Sequence, residues 1–190
     1  MVLVSSDLKI DGLADEVTKG SQGSLPPVEA WNPPLSGDID IVIDRSGHWF
    51  HEGDAFTRES LVKLFASILK KEGDEYFLVS PVEKFKIKVQ DLPFVVTSVE
   101  ELQEGGVRKL KLETNLGDTV IANSQHPIEV VYVDGQEEPA PQVRIRRNLY
   151  ARIHRNVFYQ LVELADERSA EGQQQLVVKS DGEEFVLGTY

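Results

Sequence analysis

The chain has 190 residues and a mass of 21.3 kDa, which allows one domain or two small ones. Hydrophobic residues make up 41% and charged residues 27%, a composition that excludes disorder of the whole chain. The absence of cysteine excludes disulfides, thiol catalysis and zinc-thiolate sites. No apolar run reaches the roughly 20 residues of a membrane span, and the start lacks a signal-peptide pattern. We therefore expect a soluble, cytoplasmic protein that does not associate with membranes.

The charge of the chain is acidic overall and unevenly distributed. Its formal value is -12, from 20 Lys+Arg against 32 Asp+Glu, which argues against bulk nucleic-acid binding. Residues 84–155 hold 11 basic and 10 acidic residues, against 9 and 22 elsewhere, and residues 144–155 carry five arginines and no acid. These arginines either pair with surplus carboxylates or form an anion site, because the guanidinium fork fits phosphate.

The first part of the chain predicts a polar arm followed by a small domain. Residues 1–25 are polar and predict an N-terminal arm that contains a short helix. Apolar periodicity then predicts two strands, a helix and a third strand, over Ile39–Asp44, His48–His51, Thr57–Lys71 and Tyr76–Ser80. These elements define an N-terminal α+β domain over residues 26–82.

From residue 83 the hydrophobic period changes to two, which predicts an antiparallel meander. Its strands are predicted at Lys84–Val89, Pro93–Glu100, Val107–Thr114, Thr119–Ala122 and Ile128–Val133. A second helix is predicted over Leu149–Asp166, and a hairpin around Asp181 and Gly182 closes the chain. These elements define a C-terminal α+β domain over residues 83–190.

Lysines alternate with apolar residues along two of these strands. Lys84, Lys86 and Lys88 share one strand face, and Lys109 and Lys111 share another. If both strands lie in one sheet, that face is strongly basic. It is then either a solubilising outer face or an anion-binding surface.

The two halves of the sequence resemble each other in three blocks. Residues 39–43 match 128–132 at an offset of 89, residues 56–64 match 153–161 at 97, and residues 72–79 match 171–178 at 99. The blocks keep the order strand, helix, strand, which predicts a duplication. The offset grows by eight residues between the first and second blocks, so the second copy has extra residues just before its helix. The arginine-rich stretch lies there and is therefore an addition to the repeated scaffold.

Several short motifs, taken in order, resemble the proteobacterial family catalogued as domain of unknown function 1285. The motifs are Trp31-Asn-Pro-Pro34, Gly37-Asp-Ile-Asp-Ile41, Gly47-His-Trp-Phe-His51, Arg58 to Phe65, Val79 to Lys84, Asp91-Leu-Pro-Phe94, Thr114 to Asp118 and His126-Pro127. The resemblance covers about residues 26–165. It implies a duplicated α+β core, a second domain like a pleckstrin-homology fold, a nucleotide-type ligand at the domain interface and a role in signal transduction.

The candidate site is a ligand site, because no catalytic motif is present. The sequence contains no phosphate-binding, dinucleotide-binding or nucleophile-elbow glycine motif, and we predict no metal or cofactor. The predicted second helix places Arg152 and Arg155 on one face, and Arg58 takes the place of Arg155 in the first repeat. The candidate ligand-binding residues are Arg58, Lys84, Thr114, Asn115, His126, Arg147, Arg152 and Arg155.

Three functional hypotheses follow from these observations. The first is a cytoplasmic regulator that binds a nucleotide-like or phosphorylated small molecule at its domain interface. The second is a protein-interaction module with no small-molecule ligand, whose partner would be a signalling protein. The third is an enzyme whose site is not visible in the sequence.

Overall fold

The structure, a computed structural model, describes residues 6–20, 25–132, 138–170 and 172–190. The chain divides into two compact units, Met1–Asp91 and Leu92–Tyr190. Within the described residues, no helix is long and apolar enough to cross a membrane. Both units are rich in β-sheet and contain few helices.

The first unit is a six-stranded mixed sheet with two α-helices and a short 3-10 helix at Val28–Ala30. The helices are α1 Ser6–Gly20 and α2 Glu59–Ser67, and the strands are β1 Leu35–Ile43, β2 Trp49–His51, β3 Asp54–Ala55, β4 Leu69–Glu72, β5 Glu75–Val79 and β6 Lys84–Val89. The strand order is β3-β2-β1-β6-β5-β4. Strands β1 and β6 are parallel, and the other neighbours are antiparallel.

Alternation along β1 builds the core of the first unit as the sequence predicts. Ile39, Ile41 and Ile43 are buried, and Phe65 of α2 is fully buried. The predicted polar arm instead contributes to this core, because α1 packs against α2 and buries Leu13 completely. A helix whose apolar positions repeat at helical spacing can bury that stripe even in a polar segment.

Two predicted boundaries in the first unit differ from the structure. Helix α2 ends at Ser67, and residues 69–72, predicted as its last turn, form strand β4 paired with β5. Pairing with β5 and complete burial of Leu69 therefore override the helical propensity of these residues. Strand β6 pairs with β1 and β5, so the division between units lies after Asp91 and not between residues 82 and 83.

The second unit contains two sheets and one helix. Its elements are β7 Phe94–Glu104, β8 Val107–Thr114, β9 Thr119–Ile121, β10 Ile128–Val131, β11 Ala140–Arg146, β12 Leu149–Ile153, α3 Arg155–Glu163, β13 Asp166–Ala170, β14 Gln173–Ser180 and β15 Glu183–Thr189. The six-stranded sheet has the order β10-β11-β12-β7-β8-β9, with β12 and β7 parallel. Strands β13, β14 and β15 form an antiparallel three-stranded sheet.

The predicted second helix over Leu149–Asp166 is wrong in its first half. Residues 149–153 form β12, in which Leu149, Ala151 and Ile153 are buried at a period of two. The helix α3 starts only at Arg155, after His154, whose Nδ1 accepts a hydrogen bond from the backbone N–H of Asn156 at 3.3 Å. Pairing with β11 and β7 therefore overrides helical propensity here.

The order of elements is consistent with duplicated α+β units. Three antiparallel strands, a nine-residue helix and three more strands occur as β1 to β6 with α2, and again as β10 to β15 with α3. Strands β11 and β12 have seven and five residues, whereas the corresponding β2 and β3 have three and two. The additional residues before the second helix therefore extend a hairpin, and this hairpin carries the arginine-rich stretch.

A buried serine joins the two sheets of the second unit. The Ser180 hydroxyl donates to the carbonyl of Ala122 at 2.6 Å and accepts from the N–H of Leu110 at 2.8 Å. We expect Ser180→Ala to lower the free energy of unfolding by about 1 to 2 kcal/mol, because it leaves both buried groups without a partner. Urea denaturation measures this change, with the exposed Ser169→Ala as the control. Equal stability of the two variants would contradict the prediction.

Candidate functional site

The arginine-rich stretch forms a hairpin of β11 and β12, here called the arginine hairpin, residues 140–153. A two-residue connection at 147–148 joins the strands, with Arg147 in the left-handed region at φ 51°. Val143 and Ile145 are buried on one side of β11, so Arg144 lies on the opposite side. The register pairs Arg144 with Tyr150, which places an aromatic ring beside a guanidinium group on the outer face.

Arg144 and Tyr150 form a contacting pair on this outer face. The Nε of Arg144 donates to the Tyr150 hydroxyl at 3.3 Å, and its Cζ lies 5.7 Å from the ring centroid. The hydrogen bond to the Tyr150 hydroxyl raises the pKa of Arg144 above its ordinary value. The pair therefore presents a permanent positive charge next to an aromatic ring.

Arg152 lies near the open end of the arginine hairpin. Its Nη1 donates to the carbonyl oxygens of Ala140 and Pro141, at 2.8 and 3.4 Å. The guanidinium is half-buried and is held across the hairpin by these bonds. Because carbonyl oxygens carry no net charge, these two bonds do not neutralise the arginine.

Arg155 opens helix α3, two residues after the hairpin. Its side chain is 67% exposed, and its Nη2 lies 3.9 Å from a carboxylate oxygen of the exposed Glu138. Its Nε donates to the Tyr159 hydroxyl at 2.7 Å, a bond that raises the pKa of Arg155. Tyr159 is itself 49% exposed, so this is a second arginine–tyrosine pair that a ligand can reach.

Arg146 has a structural role, unlike its neighbours. Its Nη1 donates to Asp118 at 2.6 Å, and its guanidinium lies 4.9 Å from the ring centroid of the buried Phe94. Only 11% of the Arg146 side chain is exposed. Arg146 therefore agrees with the first interpretation of the arginine-rich stretch, in which its arginines pair with carboxylates.

The predicted polar residues of the meander bond to the backbone around this hairpin. The Thr114 hydroxyl accepts from the N–H groups of Leu116 and Asp118, and Asn115 Oδ1 accepts from Val95 N–H at 3.0 Å. His126 Nδ1 lies 2.9 Å from the carbonyl oxygen of Arg144. These contacts hold the turn after β8 and join His126 to β11, so a ligand role for these three residues stays a prediction.

The other two predicted site residues lie in the first unit. Lys84 Nζ donates to Glu72 at 2.9 Å and lies 5.0 Å from the Phe77 ring centroid, with 14% of its side chain exposed. Arg58 is exposed and immediately precedes α2. The predicted set is therefore divided, with Arg58 and Lys84 in the first unit and the other six residues in the second.

Comparison with sequence families identifies the chain over most of its length. The profile described as "Domain of unknown function (DUF1285), N-terminal domain" matches residues 26–92. The profile described as "Protein of unknown function (DUF1285), C-terminal domain" matches residues 93–187. The chain belongs to the DUF1285 family. The family's two domains meet next to the division between the two compact units of this DUF1285 chain.

Two crystal structures of DUF1285 family proteins resemble this chain. The protein from Silicibacter pomeroyi DSS-3 is 39% identical, with 94% of this chain and 95% of that chain covered and a TM-score of 0.81. The protein from Shewanella baltica OS155 is 27% identical, with 66% and 91% covered and a TM-score of 0.51. A search of curated proteins found no match. These comparisons establish the family of the chain and support its fold.

The lysine stripes of this DUF1285 chain do not form one basic sheet, because β6 lies in the first unit and β8 in the second. Lysines of each stripe are paired with carboxylates of the same sheet. The ion pairs are Lys84–Glu72, Lys86–Glu75, Lys109–Glu104 and Lys111–Glu100. These ion pairs argue against an anion-binding surface at either stripe. Lys86 and Lys111 are partly exposed, as a solubilising face requires, whereas Lys84 is only 14% exposed.

Sequence reasoning missed the two tyrosines of the site. The spacing of four between Arg155 and Tyr159 is a signal for contact on a helix, but the predicted helix covered both strand and helix residues. The contact between Arg144 and Tyr150 depends on the hairpin register, which the predicted helix hid. Among the described residues, no group of three or more His, Asp or Glu residues is placed to hold a metal ion.

Proposed function

We propose that this DUF1285 protein binds a phosphorylated, nucleotide-like small molecule at the arginine hairpin and the start of helix α3, and that it acts as a regulator. The observation that carries the proposal is the pair of arginine–tyrosine contacts, Arg144 with Tyr150 and Arg155 with Tyr159. In both, a guanidinium that is charged at every physiological pH donates to a neutral hydroxyl. Each guanidinium keeps further N–H donors for an anion.

The chemistry of these groups suits a phosphate joined to a ring. Guanidinium groups bind phosphate oxygens through two parallel hydrogen bonds, which a lysine cannot do. An exposed tyrosine ring offers a stacking surface for a base, worth about 1 to 3 kcal/mol. Tyr159 is half-exposed beside Arg155, so the two functions lie on adjacent turns of α3.

The charge of the rest of the chain favours a small ligand over a polymer. The net charge of -12 repels an extended polyanion, whereas a local cluster of arginines attracts one compact anion. We therefore propose a metabolite or signalling nucleotide as the ligand, and the cytoplasm as the location.

The proposal of a pleckstrin-homology-like second unit is supported by its antiparallel strands and single helix.

A thermal-shift panel of nucleotides, cyclic nucleotides and phosphorylated metabolites tests this function. A ligand at a hundred times its Kd adds about 2.7 kcal/mol of stability, and each kcal/mol shifts Tm by about 2 to 4 °C at this size. We expect the shift to disappear in Arg155→Glu, because the substitution reverses the charge at the exposed arginine.

The matched control for this panel is Arg168→Glu, at a partly exposed arginine of β13 in the same unit. It should respond to the ligand like the wild type. A panel without any shift, or a shift that survives Arg155→Glu, would refute the proposed site. A protein partner that co-purifies and remains bound to Arg155→Glu would favour the protein-interaction module instead.

A further inference from the structure

A cleft of about 630 Å³ lies within the first unit, formed by three separate elements. Its walls come from α1, the β2–β3 hairpin and the start of α2. Its size is within the range of small-molecule sites, which is about 300 to 1,000 Å³. Its lining includes Ile10, Asp11, Glu52, Asp54, Phe56 and Arg58.

The cleft contains charges of both signs. Asp11, Glu52 and Asp54 supply three carboxylates, and Arg58 supplies one guanidinium. The structure gives the side chains of Asp11, Asp54 and Arg58 no hydrogen bond or ion pair with any residue that it describes. Most other basic side chains that the structure describes pair with carboxylates. By contrast, Asp11, Asp54 and Arg58 line the same cleft and form no ion pair with one another.

The start of helix α2 adds a partial positive charge beside Arg58. Arg58 occupies the N-cap position of α2 and makes no side-chain capping bond. The first N–H groups of a helix carry a partial positive charge and accept an anion. Arg58 and the start of α2 therefore form a subsite that suits one carboxylate group.

The remaining surface of the cleft suits an aliphatic chain. Ile10 is nearly buried, and the Phe56 ring packs edge-on against Phe65 with centroids 6.0 Å apart. Ile10, Phe56 and Leu61 are the large apolar residues of the lining, and they provide contact for a few methylene groups in an otherwise polar cleft. Because the acidic groups outnumber the basic one, the best complement carries more ammonium than carboxylate charge.

We propose that this cleft binds a free basic amino acid, with its carboxylate at Arg58, its α-ammonium group at Asp11 and its side-chain cation at Asp54. The lysine or arginine side chain would lie along Ile10 and Phe56. This site is separate from the arginine hairpin, since every residue that lines it belongs to the first unit. A phosphorylated ligand does not suit it, because three carboxylates would repel the phosphate.

Titration calorimetry with four probes tests this assignment. L-lysine and L-arginine should bind, whereas norleucine, which lacks the side-chain ammonium, and cadaverine, which lacks the carboxylate, should bind about tenfold or more weakly. Asp54→Asn should abolish the preference for lysine over norleucine, because the side-chain ammonium loses its partner. Arg58→Gln should abolish the preference for lysine over cadaverine, because the carboxylate loses its partner. Each variant should thus lose its preference for one charged group of the ligand and keep its preference for the other.

The matched controls are Arg45→Gln and Asp74→Asn, which remove the same charges from exposed turns outside the cleft. Both should bind lysine like the wild type. The absence of binding by both L-lysine and L-arginine to the wild type would overturn the proposal, as would unchanged selectivity in Arg58→Gln and Asp54→Asn. Arg155→Glu should leave lysine binding unchanged, so the two proposed sites fail or succeed independently.

Discussion

Replacing Arg146 with alanine is expected to lower the free energy of unfolding by about 2 to 4 kcal/mol. Its guanidinium donates to Asp118 at 2.6 Å and covers the buried Phe94 ring at 4.9 Å, with only 11% of the side chain exposed. Truncation leaves the Asp118 carboxylate without its counter-charge and opens space above Phe94. The expected loss of stability is smaller than for a fully buried ion pair, because 27% of the Asp118 side chain is exposed.

The measurement is urea denaturation of Arg146→Ala beside Arg155→Ala, the matched arginine of the same unit. Arg155 is 67% exposed, so its removal should change stability by less than about 0.5 kcal/mol. A double-mutant cycle with Asp118→Asn should show a coupling energy for the pair. If the two arginine variants were equally stable, Arg146 would be available for a ligand and its structural role would be refuted.

Replacing Glu72 with glutamine is expected to cost about 2 kcal/mol at neutral pH, less than for a fully buried pair because 34% of the Glu72 side chain is exposed. Glu72 lies 3.3 Å from Lys70 and 2.9 Å from Lys84, whose side chains are only 11% and 14% exposed. Lys70 also donates to the carbonyl of Trp31 at 3.1 Å, which holds residues 28–31 against β4. Glutamine leaves two mostly buried ammonium groups close together without a counter-charge.

The same carboxylate predicts a pH dependence with a definite sign. The hydrogen bond from Lys84 lowers the pKa of Glu72 below its ordinary value of 4.5. A folded-state pKa below the unfolded value stabilises the fold above the unfolded pKa, and this contribution is lost as the pH falls through the folded pKa. The difference in stability between wild type and Glu72→Gln should therefore be constant near neutral pH and shrink on acidification below about pH 4.5.

Chemical denaturation at a series of pH values measures this effect, with Glu75→Gln as the control. Glu75 pairs with Lys86 on the neighbouring strands, but 53% of its side chain is exposed, so its replacement should cost less than about 1 kcal/mol. A difference between wild type and Glu72→Gln that stays constant to acid pH would contradict the assignment of this stabilisation to the charged form of Glu72.

Much of the sheet structure could be predicted from the sequence because local alternation was clear. Ile39, Ile41 and Ile43 recur at a period of two, and residues 84–89 alternate polar and apolar side chains. Both segments form strands, in which Ile39, Ile41, Ile43, Phe85 and Ile87 are buried. The helix near Leu61 was also predicted, since its apolar face repeats at helical spacing. Its end was not, because residues 69–72 are equally able to extend a helix or pair with β5.

The arginine-rich stretch shows why the candidate site was only partly predictable. Its positive charge is a property of composition, so the sequence alone identified it. The sequence placed Arg152 and Arg155 on one helix, whereas they lie on a strand and on the helix that follows it. The register of β11, β12 and β7 decided this, and register depends on residues far apart in the chain.

The family resemblance, the presence of two α+β units, the acidic net charge and the local excess of arginine could all be predicted from the sequence, whereas the division between the units could not. Only the tertiary structure shows which arginine is held by a carboxylate in the fold and which arginines lie beside a tyrosine. Arg146 meets Asp118 across 28 residues of sequence, while Arg144 and Arg155 meet tyrosines six and four residues away. Composition counts charges along the chain, but the contacts that neutralise or present each charge exist only after the strands have paired.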